Sequence, residues 1–205
     1  MVSNLIAAAR FACGRRKESM RNFSDPLLEL APEGVRKAAL NALAFAEEAH
    51  AGQIRPGGEP QIHHVVRVVG LALVTGQLES LDDAAVAGLV AAAALHDVWE
   101  DTSCTDDVLA AQFGGEVARV VRAVSHVAEE ESDETYLSRV HAGGRLAVLV
   151  KRCDRLDNLG SLASAPKNFR DVKLAEVEAA LPIWRRIDPQ GATLIESLLR
   201  ELQRG

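Results

Sequence analysis

Aromatic side chains are scarce in this sequence: one Tyr, two Trp and five Phe, 4% of 205 residues. With so few rings the core must be filled by Ala, Leu and Val, many at helical spacing, which points to an all-helical protein. Cysteine is also sparse. Cys13, Cys104 and Cys153 lie in no CxxC spacing, so they are read as reduced thiols rather than a disulfide framework. Long apolar runs are missing as well, since Arg, Asp, Glu or His interrupts every candidate, and no membrane span is expected. The apolar stretch Leu5 to Ala9 is broken by Arg10 and followed by Arg15, Arg16 and Lys17, which argues against a secretory signal and for a soluble cytoplasmic protein. Finally, there is no excess of positive charge. A net charge of -6 and a pI near 5.5 exclude a domain whose main task is to neutralise a nucleic-acid backbone. An anionic small molecule remains compatible if a metal ion or a few local cations reverse the field at the site.

The length suits one domain with a sizeable core. Residues 1–24 are expected to form an arm or extra helix, with Met20 an alternative start, and residues 25–205 a single domain. No tandem repeat or low-complexity linker divides them. Pro32 and Glu33 open a helix running to His50, and Ala51 to Pro60, with Gly52, Pro56, Gly57, Gly58 and Pro60, must be a loop. A second helix is expected from Ile62 to Val74, stopped by Gly76, and a third from Asp82 or Asp83 to about His96. The third is apolar nearly all round from Ala84 to Leu95, hence central, and it delivers whatever polar residues follow it into the interior. Further helices are expected at Thr105–Gln112, Glu116–Val127, Asp133–Val140, Arg145–Asn158, Phe169–Arg186 and Gly191–Leu202. The fold class is all-α, a compact bundle of about eight to ten mostly antiparallel helices.

At the end of the most apolar helix stands His96-Asp97-Val98-Trp99-Glu100-Asp101-Thr102. Burying an imidazole and three carboxylates without partners costs several kcal/mol or more, and a divalent cation removes that penalty. If the helix persists, His96 and Glu100 share one face and Asp97 and Asp101 another, so His96 and Asp97 can bind a metal while Glu100 and Asp101 reach towards a substrate. Two distant segments supply further ligands. Asp154 and Asn158 lie four apart on one helical face, and either His63 or His64, opening the helix after the loop, offers a second imidazole. For each of these taken singly, a structural ion pair, cap or surface position is an equal or better reading. The order His, His-Asp, Asp is what makes them a set.

That order resembles the metal-binding signature of the HD superfamily, and over roughly Ala39 to Ser161 the sequence is more closely similar to the hydrolase domain of the RelA/SpoT family. The family run Gly-Gln-x-Arg-x-x-Gly-Glu-Pro-x-Ile-x-His is matched by Gly52 to His64, Leu-His-Asp-Val-x-Glu-Asp-Thr by Leu95 to Thr102, and Asp-Arg-Leu-x-Asn by Asp154 to Asn158. The resemblance implies an HD-domain architecture, with His64 rather than His63 as the ligand, together with His96, Asp97 and Asp154, around one divalent metal, usually Mn²⁺. It implies catalytic roles for Glu100 and Asp101. Substrate contacts would come from Arg55, Asn158 and Ser161; apart from the resemblance, Lys151 or Arg155 could offset phosphate charge, each equally well read as a solvated surface cation, and His50, matching no ligand position, is read as structural.

The implied activity is removal of the 3′-diphosphate from alarmone nucleotides such as ppGpp. The partner is a small nucleotide, and neither nucleic acid nor membrane is expected; the ending of the sequence at Gly205 fits a hydrolase without a synthetase domain. Several positions depart from the family. Pro56 stands where a basic residue often follows Arg55, Gln61 where an aromatic is common, Val65 where Pro usually follows the ligand His, and Asp157 where His or Tyr is usual. Phe169 to Leu174 contains no Tyr. The metal and catalytic core is intact while the recognition surface is altered, which keeps two alternatives in view: hydrolysis of another nucleotide (an adenine alarmone, NADPH or a nucleoside monophosphate), or a nucleotide-binding regulatory module without turnover.

Overall fold

A computed structural model describes residues 27–127 and 131–204. The expected arm, with Cys13 and Met20, lies outside the described residues. Ten α-helices and one short 3₁₀ turn account for most of the rest: α1 (Glu33–Ala49), α2 (Gln61–Leu78), α3 (Asp83–Leu95), α4 (Val98–Asp101), α5 (Asp106–Phe113), α6 (Gly115–Val124), α7 (Asp133–Ala142), α8 (Arg145–Ser161), α9 (Lys167–Ile187) and α10 (Pro189–Arg204). The all-α expectation holds, and among the described residues the nearest thing to a strand is one bridge between Ile54 and Pro60.

Helix starts follow local chemistry. Asp82 caps α3 by accepting the Ala85 N–H at 2.8 Å, and Ser132 does the same for Thr135 at the start of α7. One expected stop is absent. Gly76 does not end α2, which runs on to Leu78; a Cβ there would stand 2.9 Å from a Val86 methyl, so this glycine lets α2 and α3 approach closely instead of breaking the helix.

Helix α3 is the spine of the bundle, packed against α1, α2, α6 and α8. Only its second half is wholly buried, from Leu89 to Leu95, while Ala84 is exposed. The core that surrounds it is made of Ala, Val and Leu, with Tyr136 and Trp184 as its two largest buried side chains. Small side chains on α1 (Ala39, Ala42, Ala46) and on α3 (Ala91 to Ala94) allow the close packing that sets the end of α3 against the start of α2 and the middle of α8. The three segments singled out in the sequence converge there.

Candidate metal centre and catalytic cleft

Helix α3 ends at Leu95, and the chain turns at His96 and Asp97 before one further helical turn, α4, begins. The helix is thus interrupted at His96 and Asp97, although both keep right-handed helical dihedrals and the Asp101 N–H donates to the Asp97 carbonyl at 2.9 Å. Thr102 closes α4, its hydroxyl donating to the Val98 carbonyl at 2.6 Å and accepting the Cys104 N–H at 3.1 Å, and Arg122 stacks over the Trp99 ring at 3.7 Å. His96 is buried, whereas Glu100 and Asp101 are exposed.

His64 stands in the first turn of α2 and is buried, as is His96. Their Nε2 atoms face each other at 3.1 Å. Asp154 Oδ1 lies 3.3 Å from His64 Nε2 and 3.7 Å from His96 Nε2, while Asp97 sets Oδ1 at 3.1 Å from His96 Nε2 and Oδ2 at 3.7 Å from His64 Nε2. With metal–ligand bonds of about 2.0–2.2 Å, neighbouring ligand atoms of a tetrahedron or octahedron are about 3.0–3.6 Å apart. The ligand atoms of His64, His96 and Asp97 all lie within 4.8 Å of one another, a grouping that could hold a cation, and Asp154 Oδ1 stands 3.3 Å from His64 Nε2 beside them.

The outer nitrogens give an independent test. His64 Nδ1 lies 2.7 Å from the Asp157 carboxylate and His96 Nδ1 lies 2.8 Å from the Ala93 carbonyl. Both partners only accept, so both Nδ1 atoms carry hydrogen and each neutral ring turns a lone pair from Nε2 towards the other. Two lone pairs at that distance need positive charge between them. Without a cation, protons must serve: burial opposes charging the His96 ring, but the charge of Asp97 and hydrogen bonds donated to Asp154 and Asp97 outweigh it and push it up to about 10. Burial also opposes charging His64, but hydrogen bonds to Asp154 and Asp157 and the charge of Asp157 raise it, and against the opposing effect of burial Lys151 with the two imidazoles holds Asp154 well below the usual carboxylate range. A divalent ion supplies that charge and reverses the preference of the rings for protons. His63, the alternative left open by the bare sequence, is not among the residues His64, His96 and Asp97 whose ligand atoms group together.

Above the four side chains opens a cleft of about 550 Å³ lined by Gln53, Ile54, Arg55, Pro56, Gln61, His64, Asp97, Glu100, Asp101, His126, Lys151, Asp154 and Asn158. Arg55 donates to Asn158 Oδ1 at 2.6 Å and to Gln61 Oε1 at 3.3 Å. Asn158 in turn donates to Asp154 Oδ1 at 2.6 Å, and Gln61 to Asp97 Oδ2 at 2.5 Å. One arginine at the cleft mouth is thus linked to Asp97 and Asp154 through one amide each. Lys151 Nζ lies 2.8 Å from Asp154 Oδ2. Asp101 is raised, first by partial burial and then by the charges of Asp97 and Glu100.

Of the residues singled out in the sequence, Arg55, Asn158, Lys151, Glu100 and Asp101 line the cleft with His64, Asp97 and Asp154. Ser161 and Arg155 do not line it. Ser161 turns its hydroxyl back to the Asp157 carbonyl at 3.0 Å, and the Arg155 Nε is buried within the bundle. His50 is buried, its Nδ1 2.7 Å from Gln53 Oε1, and Gln53 donates onward to the Asp101 carbonyl at 3.0 Å.

His126 is the cleft residue the sequence did not flag. Its ring stacks on Tyr136 with centroids 3.9 Å apart, and its backbone N–H donates to Glu100 Oε2 at 2.7 Å. No motif marks it, because its place depends on α6 ending at Val124 beside α4.

Residues 42–184 match the family described as HD domain. The chain belongs to the HD-domain family. Within that family its likeness is to hydrolase domains of the RelA/SpoT type. Over 169 residues this HD domain is 35% identical to a Haemophilus influenzae protein named guanosine-3′,5′-bis(diphosphate) 3′-pyrophosphohydrolase, covering 78% of this chain and 23% of the relative. A Vibrio cholerae protein of the same name is 33% identical over 193 residues, 87% of this chain and 26% of the relative. The chain thus spans about a quarter of the length of the curated relatives it matches. A solved structure described as a metazoan ortholog of SpoT that hydrolyses ppGpp superposes with a TM-score of 0.65 at 25% identity, over 82% of this chain and 96% of that one.

Proposed function

We propose that this HD domain holds one divalent cation on His64, His96, Asp97 and Asp154 and hydrolyses a nucleoside 3′-diphosphate of the ppGpp class, releasing pyrophosphate. The observation that carries the reading is the pair of Nε2 atoms 3.1 Å apart, each with its Nδ1 committed to an acceptor, at the floor of a cleft whose rim holds Arg55 and Lys151. The relatives named for this reaction support the choice of substrate. Mixed imidazole and carboxylate ligands suit Mn²⁺, the ion proposed here. When bound, such an ion supplies Lewis-acid activation of a water molecule and of a phosphoryl oxygen.

The chain's own residues then divide the remaining work. Glu100, fixed by the His126 backbone N–H, accepts the proton of the attacking water as its oxygen bonds to the phosphorus attached to the 3′-oxygen. The bond from that phosphorus to the ribose 3′-oxygen breaks, and the departing oxygen needs a proton. Asp101, whose raised affinity for protons comes from burial and the acids beside it, is placed at the same rim to supply one. Arg55 and Lys151 face the diphosphate, where a planar guanidinium can engage two oxygens at once. Asn158, bonded to both Arg55 and Asp154, sets the distance between the phosphate contact and the metal ligands. The proposed protein is soluble and cytoplasmic; no helix among the described residues is long and apolar enough to cross a membrane.

A second reading, hydrolysis of a different nucleotide, draws on Gln61. Its amide is spent between Arg55 and Asp97, so no contact to a base edge comes from it, and Pro56 offers no side-chain polar group. Incubating the full chain and Mn²⁺ with ppGpp, its adenine counterpart, NADPH and ordinary nucleotides, and following pyrophosphate and phosphate release, tests both. Pyrophosphate from ppGpp is the expected result; turnover of none of them, with nucleotide binding retained, overturns the enzyme reading.

A further inference from the structure

We propose that Asp157 is the positioning residue of the metal ligand His64, locked in that role by Arg67 and Glu59; the inference rests on the metal-centre reading above. Asp157 is buried on α8 and reaches His64 on α2 across 93 residues of sequence, its Oδ2 accepting the Nδ1 proton at 2.7 Å. Arg67, one turn after His64, donates from Nε to Asp157 Oδ1 at 2.7 Å and from one terminal nitrogen to Oδ2 at 3.0 Å. The same guanidinium donates to both oxygens of Glu59, at 2.9 and 2.7 Å. Every nitrogen of Arg67 is committed, and neither oxygen of Asp157 is free to turn away from the ring.

Charge separates this arrangement from an ordinary buried ion pair. One guanidinium between two carboxylates leaves the trio with one negative charge, and the imidazole N–H is where Asp157 directs it. His96 has only the neutral Ala93 carbonyl behind it. The two imidazoles are therefore unlike: His64 is backed by a carboxylate, which fixes the Nδ1–H tautomer, blocks a half-turn of the ring and raises electron density at Nε2. A His64 ring released from Asp157 can place its proton on Nε2, where it would occupy the ligand position. Glu59 extends the lock to the loop that carries Arg55, because the Arg55 N–H donates to the Glu59 carbonyl at 2.9 Å.

The test is Mn²⁺ titration calorimetry on the full chain after chelation, comparing the parent with Asp157→Ala, Asp157→Asn and His64→Ala, together with nitrogen NMR of the His64 ring and melting of the chelated proteins. Asp157→Ala should weaken Mn²⁺ binding by about tenfold to a hundredfold, the usual range for losing such an outer partner, and should mix the His64 tautomers. Asp157→Asn keeps an acceptor oxygen without the charge and should lose less affinity, while holding the Nδ1–H tautomer. Affinity within about twofold of the parent in either variant overturns the proposal, as does an equal loss in both that tracks the melting temperature of the chelated protein. If Asp157→Ala does not fold, the near-isosteric Asp157→Asn decides by the same affinity criterion. If the parent takes up no Mn²⁺, or His64→Ala binds it as tightly, the metal-centre reading fails and takes this proposal with it; a binding parent with an unaffected Asp157→Asn overturns this proposal alone.

Discussion

Glu100 is held by His126: the backbone N–H of His126 donates to Glu100 Oε2 at 2.7 Å, tying an exposed carboxylate on the single turn α4 to the end of α6. A carboxylate at the rim of a cleft would otherwise sample several rotamers. This bond occupies Oε2 of a side chain that lines the cleft.

Glu100→Gln keeps the size of the side chain and its acceptor for the His126 N–H while removing its basicity. Metal uptake and substrate affinity should survive, and turnover should fall by about a hundredfold to ten-thousandfold, the range for a general acid-base group. Steady-state kinetics beside nucleotide binding by calorimetry makes the check. Parental turnover in the variant would mean that Glu100 is a surface acid.

Asp154→Ala should abolish the stabilisation given by the ion. A ligand at about a hundred times its dissociation constant stabilises a native chain by about 2.7 kcal/mol, or about 5–10 °C in a chain of this size. The parent should gain that much on adding Mn²⁺ and the variant close to none, and metal analysis after gel filtration should find the ion depleted. Comparing each protein with and without metal matters, because the variant also leaves Lys151 without its partner at 2.8 Å.

Base selectivity should be weak. With Gln61 bonded inward to Asp97 and Pro56 in place of a donor, few polar groups remain to read a base edge, and turnover of ppGpp and its adenine counterpart should agree within about tenfold. Parallel measurements of kcat/KM settle the matter. A preference for guanine of several hundredfold would contradict it.

Acid and base should act differently on the chelated and the metal-loaded protein. After chelation, His96 keeps its proton up to about 10 when folded against an ordinary 6.5, so the folded state binds more protons between those values. Stability contributed by His96 is then complete below about pH 6.5 and is lost as pH rises towards 10. With the ion bound, both rings are deprotonated, the unfolded chain binds more protons in acid, and stability rises with pH up to about 6.5 before levelling. Melting temperatures over roughly pH 5 to 10 should climb to about pH 6.5 and then level with metal, but stay level to about 6.5 and then fall with chelator; parallel curves would rule out linkage through these rings.

The sequence by itself determined most of the helices, the buried end of α3, and His96, Asp97, Asp154, Glu100 and Asp101 as a spaced polar set, because apolar periodicity and motif spacing are local properties of the chain, while His64 over His63 came from the family resemblance. Even there the local view erred at Gly76, where close packing against Val86 and not helix termination explains the glycine. Only the tertiary structure decided what surrounds these side chains. Asp157 stood in the sequence as an oddity and becomes the partner of His64; Gln61, another departure, bonds to Asp97; Ser161 turns back on its own helix; His126, unmarked by any motif, holds Glu100. Those bonds join residues 93 apart (His64 and Asp157), 36 apart (Gln61 and Asp97) and 26 apart (Glu100 and His126). Partners that distant meet only when packing of α2, α3, α6 and α8 fixes their separation to within a hydrogen bond, a constraint that no single stretch of sequence carries.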